Sequence, residues 1–240
     1  MRQDKKQPLL EHLEELRRRI LLSVACVFLA ACVFYNFVER ILPYLLEPVG
    51  RVVFIAPTEA FVTHVKIALF GGLFLSSPFV IYQIWKFVSM ALVQNERKYI
   101  MVFAPASFLF FISGACFGYF VILPIGMKFL LSFGSDYMLP MITVSKYITF
   151  IGVLTLAFGV VFELPLVILF LTKLGLVTPE FLSRRRRHAI VLIFIVAALL
   201  TPPDVVTQVL MAGPLLILYE ISILFSRWAY KPISALYDKA

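Results

Sequence analysis

Six apolar runs dominate the chain, at residues 20–38, 60–84, 99–123, 148–171, 188–200 and 205–225, and short polar segments between them hold nearly all the charge. The first four runs are about 19 to 25 residues long, enough for a helix to cross a hydrocarbon core of roughly 30 Å. Backbone in lipid must satisfy its own hydrogen bonds, so the runs predict helices. They show no period-two alternation, which argues against a barrel. The pattern predicts an all-α polytopic membrane protein with six transmembrane helices, the last two short, forming a single transmembrane domain over residues 1–240.

Two local patterns refine this. Residues 8–19 read as an amphipathic helix opened by Pro8, a favoured first-turn residue. Leu9, Leu13, Leu16 and Ile20 share one face, with Glu11, Glu15 and Arg18 opposite. Glu14–Arg18 and Glu15–Arg19 are i,i+4 pairs with the acid first, the favourable order. This helix is expected to lie along the cytoplasmic interface. The second pattern is at the end of the chain. From His188 to Thr201 the helix would be only about 21 Å long. Pro202 and Pro203 then force a turn. The return run carries Gln208 near its start, Gly213–Pro214 in the middle and Glu220 before its end. A hairpin this short is expected to thin the membrane or to dock against longer neighbours or a partner helix.

Composition agrees: 61% of residues are hydrophobic and 15% charged, more apolar surface than a soluble domain can hide. The net charge is +8, but it sits in short loops, so nucleic acid is not the expected partner. With both termini in the cytoplasm, 17 of the 22 Lys and Arg fall on the inner side. They include Arg17 to Arg19, Lys86, Arg97, Lys98 and Arg184 to Arg187. That bias predicts N-in, C-in. Cys26, Cys32 and Cys116 all fall inside runs and give no disulfide or metal spacing. The charged segment before a first run too long for an h-region is not expected to be a cleavable signal. Its four acids are also unlike a transit peptide, which favours a bacterial plasma membrane.

The chemistry-bearing residues are few. Glu163, in Phe162-Glu163-Leu164-Pro165, lies roughly 12 Å inside the fourth run at 1.5 Å per residue. An ionised carboxylate there is costly, so it should face a cavity or be protonated. A polar pocket for a transported or partner group is one reading, and a neutral stabilising hydrogen bond is the other. Glu15 and Glu96 lie at the inner interface among basic residues. They read either as solvated carboxylates paired to Arg or as a carboxylate pair that recognises guanidinium groups. The Arg184–Arg187 run reads as anchoring and anionic-lipid contact. His12, His64 and His188 are scattered, so no metal site is expected. No Gly-x-Ser-x-Gly or P-loop occurs, so neither intramembrane proteolysis nor ATP hydrolysis is expected.

Several stretches resemble the TatC family, the polytopic core of the twin-arginine protein translocase. They are His12-Leu13-Glu14-Glu15-Leu16-Arg17-Arg18-Arg19; Pro57-Thr58-Glu59; and Ser77-Pro78 with Tyr82-Gln83-x-Trp85-x-Phe87 and Ala91-Leu92-x-x-x-Glu96-Arg97-Lys98. Phe162-Glu163-Leu164-Pro165 follows, then Thr201-Pro202-Pro203-Asp204-Val205 with Gln208, Pro214 and Tyr219-Glu220. Their order along the chain makes the resemblance specific. One departure is Met90, where the family usually has Pro before Ala91-Leu92.

The resemblance implies six helices in a concave, cup-like bundle. It implies that Glu15 and Glu96 hold the two Arg of a signal peptide on folded cargo, within a site that takes in Arg17, Gln94 and Arg97. It further implies that Glu163 and Gln208, with Thr207 beside it, present polar contacts to the single-span partners TatA and TatB. Several copies would assemble with these partners, and the proton-motive force would drive transport. No cofactor or catalytic residue is implied. The rival reading is a proton-coupled secondary transporter of a small solute with Glu163 as relay. The absence of an internal repeat stands against it.

Overall fold

The computed structural model describes residues 9–50, 52–90, 92, 100–134, 141–200 and 205–230. Among these the chain is helical, with one isolated parallel bridge between Val53 and Thr143 and no strand. The helices are α1 (Leu9–Tyr35), α2 (Val38–Leu46), α3 (Pro57–Met90), α4 (Ile100–Phe117), α5 (Leu123–Leu131), α6 (Val144–Val161), α7 (Leu164–Lys173), α8 (Pro179–Arg184), α9 (Arg186–Leu200) and α10 (Val205–Ala229). A π-turn at Gly118–Ile122 joins α4 to α5. Among the described residues, five helical stretches are long and apolar enough to cross a membrane: α1, α3, α4 through α5, α6 through α7, and α10.

Proline explains where these helices depart from ideal geometry. Pro78 has no N–H for the Phe74 carbonyl, and the neighbouring Ser77 hydroxyl donates to that carbonyl instead, at 2.7 Å. The helix continues, which accounts for the Ser-Pro pair. Pro124 lies just past the π-turn, where Leu123 N–H reaches back five residues to Gly118. Pro165 deprives the Val161 carbonyl of its donor, and the chain tightens at Phe162–Glu163 before α7 starts. α7 then stops at Gly175, whose φ of +72° suits glycine. Thr178 caps α8 by accepting from Phe181 N–H at 3.2 Å, with Pro179 in the first turn.

Two expectations need correction. α10 is 25 residues long, an ordinary span, so only α9, at 15 residues, is short. Within α10, Glu220 pairs with Arg186 at 2.8 Å. The segment read as a separate interfacial helix is instead continuous with the first span, within the 27 residues of α1.

The chain divides into two compact units: residues 1–108 with 141–149, and residues 109–140 with 150–240. In the first, α1 packs along α3 through small residues. A Cβ on Gly72 would lie 2.5 Å from the Ala31 backbone, so only glycine permits this approach. In the second, α10 packs on α7 and α9, with Met211, Leu215 and Ile223 buried. The same close approach recurs at Gly114, where a Cβ would meet the Phe158 carbonyl at 2.4 Å.

Candidate functional site

The first unit holds a polar cluster where α1 begins and α3 ends. Arg19 is 7% exposed, unusual for an arginine. Its guanidinium donates to Glu15 Oε1 at 2.5 Å and to Gln83 Oε1 at 2.9 Å, while its Nε finds no acceptor among the described residues. Glu15 is thus a half-buried carboxylate with one oxygen committed to an internal arginine. One turn before Glu15, the His12 ring meets Phe87 with centroids 4.5 Å apart.

These contacts explain the Tyr82-Gln83-x-Trp85-x-Phe87 stretch. Gln83 and Phe87 are four residues apart and share the face of α3 turned to α1. Trp85, about 200° round from Gln83, faces α4. There its Nε1–H donates to Ser107 Oγ at 2.7 Å and its ring lies 5.4 Å from Phe103.

Of the expected peptide-binding residues, Glu15 is in this cluster and Arg17 is exposed on a different face of α1. Gln94, Glu96 and Arg97 lie outside the described residues. Arg19 and Gln83 were missed as site residues, although the Glu15–Arg19 spacing already pointed to the pair.

The second unit places the intramembrane polar residues. Glu163 occupies the N-cap position of α7 without a side-chain capping hydrogen bond, ten residues before Lys173 and so about 15 Å along the helix from its C-terminal end. Both carboxylate oxygens are shielded from solvent. Phe162 beside it packs 5.5 Å from Phe117 and 6.4 Å from Phe158, forming an aromatic cluster against Gly114. Thr207 is 4% exposed. Gln208 Nε2 donates to the Phe194 carbonyl at 3.0 Å, which ties α10 to α9. Its amide is therefore partly committed within the chain.

A further polar cluster lies at the opposite end of α3 in the first unit. The Glu59 carboxylate accepts from Ile55 N–H at 2.9 Å and from Ser145 N–H at 3.2 Å, at the first turn of α6. Two turns along the same face, Lys66 Nζ donates to Ser145 Oγ at 2.7 Å and Thr149 Oγ1 at 2.9 Å. Among the described residues, no group of three or more His, Cys, Asp or Glu is placed to hold a metal ion.

Comparison with known proteins points one way. The family model for the Sec-independent protein translocase protein TatC matches residues 11–214. TatC of Carboxydothermus hydrogenoformans is 46% identical over 231 residues, covering 94% of this chain and 95% of that one. TatCd of Bacillus subtilis is 38% identical and covers 95% of each. A crystal structure of a twin arginine translocase receptor, TatC, superposes with a TM-score of 0.83 at 38% identity, covering 91% of this chain and 99% of that one. None of these relatives supports the solute-transporter alternative.

Proposed function

The chain belongs to the TatC family of Sec-independent protein translocase proteins, and from that premise we propose that it is the signal-peptide receptor of its translocase. It would sit in the bacterial inner membrane, N-in and C-in, with α9 as the short fifth of six crossings. The peptide's two arginines would dock at the cytoplasmic face, one on Glu15 and one on Glu96, with Arg17, Gln94 and Arg97 lining the same site.

The observation that carries this reading is the geometry at Glu15. The residue is half-buried, anchored through Oε1 to Arg19, and Arg19 is anchored in turn by Gln83 on α3. Fixing the carboxylate this way removes rotamer freedom before the ligand arrives, so less entropy is lost on binding. An arriving guanidinium would be met by Oε2. In sequence, Glu96 follows six residues after the end of the same α3 that holds Gln83 and Phe87. No bond need be made or broken, so the proposed role is recognition and assembly, not catalysis.

Partner recognition would use the second unit. Glu163, Thr207 and Gln208 would face the transmembrane helices of TatA and TatB as several copies assemble, with the proton-motive force driving transport.

The test is crosslinking and binding of a signal peptide carrying Arg-Arg or Lys-Lys. Glu15→Ala and Glu96→Ala should each weaken Arg-Arg binding roughly 10- to 100-fold, the equivalent of losing a charge-assisted hydrogen bond of about 1.5–3 kcal/mol. Glu96→Lys should be worse, since it adds repulsion. Wild-type affinity in the double alanine variant would refute the carboxylate clamp.

A further inference from the structure

The second unit contains a basic turn that the proposed peptide site does not use. Arg184, Arg185, Arg186 and Arg187 join α8 to α9, and all four are exposed. Adjacent residues of α10 fix the turn in place. Tyr219 Oη donates to the Leu182 carbonyl at 2.9 Å, and Glu220 accepts from Arg186 at 2.8 Å. Further along α10, Ser226 Oγ hydrogen-bonds Thr172 Oγ1 at 2.8 Å, at the end of α7.

Glu220 and Ser226 are six residues apart, so α9 begins about 9 Å back along α10 from the level at which α7 ends. The arginines are therefore recessed behind the ends of α7 and α10. Past them α10 continues with Leu224, 62% exposed, and finishes at Arg227 and Trp228, the latter 87% exposed. An exposed tryptophan beside a cation at a helix end marks the headgroup level of a bilayer. A guanidinium set back from that level must draw water or an anion to itself.

The four arginines are not equivalent. Glu220 neutralises Arg186. Among the described residues no carboxylate pairs with Arg184, Arg185 or Arg187, and Arg185 lies over the Phe181 ring at 5.9 Å. We propose that this recessed turn is a binding site for the phosphates of anionic phospholipids, with Arg184, Arg185 and Arg187 as its ligands and Glu220 holding Arg186 out of it. Guanidinium forks match phosphate oxygens two at a time. The apolar surface of α10 around Leu224 gives the acyl chains a place to lie, which a soluble phosphate or an acidic peptide would not use. Which leaflet is engaged rests on the orientation proposed above; the binding itself does not.

The test is native mass spectrometry of the full chain in detergent, titrated with phosphatidylglycerol, phosphatidylcholine or inorganic phosphate. Phosphatidylglycerol should be retained selectively. Combined Arg184→Gln, Arg185→Gln and Arg187→Gln should lower its affinity roughly 100-fold, about fivefold per arginine, which corresponds to ~1 kcal/mol each. Lys86→Gln, on α3, should have no effect. Glu220→Gln should raise affinity about fivefold by releasing Arg186, a gain that misfolding cannot produce. Undiminished binding in the triple variant, no gain with Glu220→Gln, or equal retention of phosphatidylcholine would each overturn the proposal. Displacement of the lipid by millimolar phosphate would reassign the site to a soluble anion. Signal-peptide crosslinking should survive the triple variant, so failure here and failure of the receptor reading give different results.

Discussion

The buried arginine at the candidate site can be tested by a double-mutant cycle. Arg19 and Gln83 are 7% and 8% exposed and joined by a 2.9 Å hydrogen bond. Gln83→Leu leaves Nη1 of a buried guanidinium without its acceptor, with Nε already lacking one among the described residues. Arg19→Met leaves the Gln83 carbonyl oxygen buried without its donor. Each orphaned group costs about 1–3 kcal/mol. The double variant removes both polar groups and substitutes apolar side chains of similar length, which is nearly neutral in such settings. Glu15 adds little to the balance, because its side chain is 27% exposed and can turn to water. The single variants should therefore sum to about 2–6 kcal/mol of destabilisation, with the double variant near 1 kcal/mol, a coupling of roughly 1–5 kcal/mol. The assay is equilibrium unfolding of the four proteins in detergent. Additive losses would refute the reasoning, because they would mean that the two side chains do not satisfy each other.

Gly72→Val should destabilise the α1–α3 crossing by about 1–3 kcal/mol, since its Cβ would meet the Ala31 backbone, whereas Gly213→Ala, with open space around it, should be tolerated. The same unfolding assay ranks the two. Glu163→Gln should keep partial transport and Glu163→Leu should lose crosslinks to TatA or TatB while retaining peptide binding. Glu163→Arg should be most damaging, because a fixed charge there costs at least ~2.5 kcal/mol. Unchanged crosslinks with Glu163→Leu would leave this carboxylate a structural role only. Cysteines placed at Asp136 and Asp204 should react with an impermeant reagent added outside, and one at Lys173 should not; reaction at Lys173 instead would invert the topology.

Hydropathy made the spans legible, since an apolar run that long has few soluble uses. The five long spans lie where the apolar runs do, and α9 is as short as its run implied. The full length of α10 was not legible, because its apolar run stops at residue 225 while the helix goes on to Ala229; nor was the state of Glu220 within it. Its neutralisation depends on Arg186, 34 residues away, and no local pattern records that pairing. Likewise the first span gave no sign that it continues unbroken into the charged segment. Charge argues for an interface there, but a helix needs no change of direction to reach one.

The candidate site shows the same division between what is local and what is not. Glu15–Arg19 could be read from i,i+4 spacing, yet the burial of Arg19 depends on Gln83, 64 residues away. That burial changes what Glu15 is. A solvated carboxylate would be a weak, freely rotating ligand; one held by a buried cation is aimed. Glu59 makes the point more sharply. Pro57-Thr58-Glu59 could be matched to a family by sight, but nothing in the stretch says what the carboxylate does. Its two oxygens close a loop at Ile55 and hold the first turn of α6 at Ser145, 86 residues on. Lys66 grips that same turn through two hydroxyls. Neither residue needs a ligand to account for its place in the chain. The distinction decides where to look for function: Glu59 spends both oxygens on backbone amides of its own chain, whereas Glu15 spends one oxygen on Arg19 and is only half-buried. Of these two carboxylates, Glu15 is the one with binding capacity left to offer a partner.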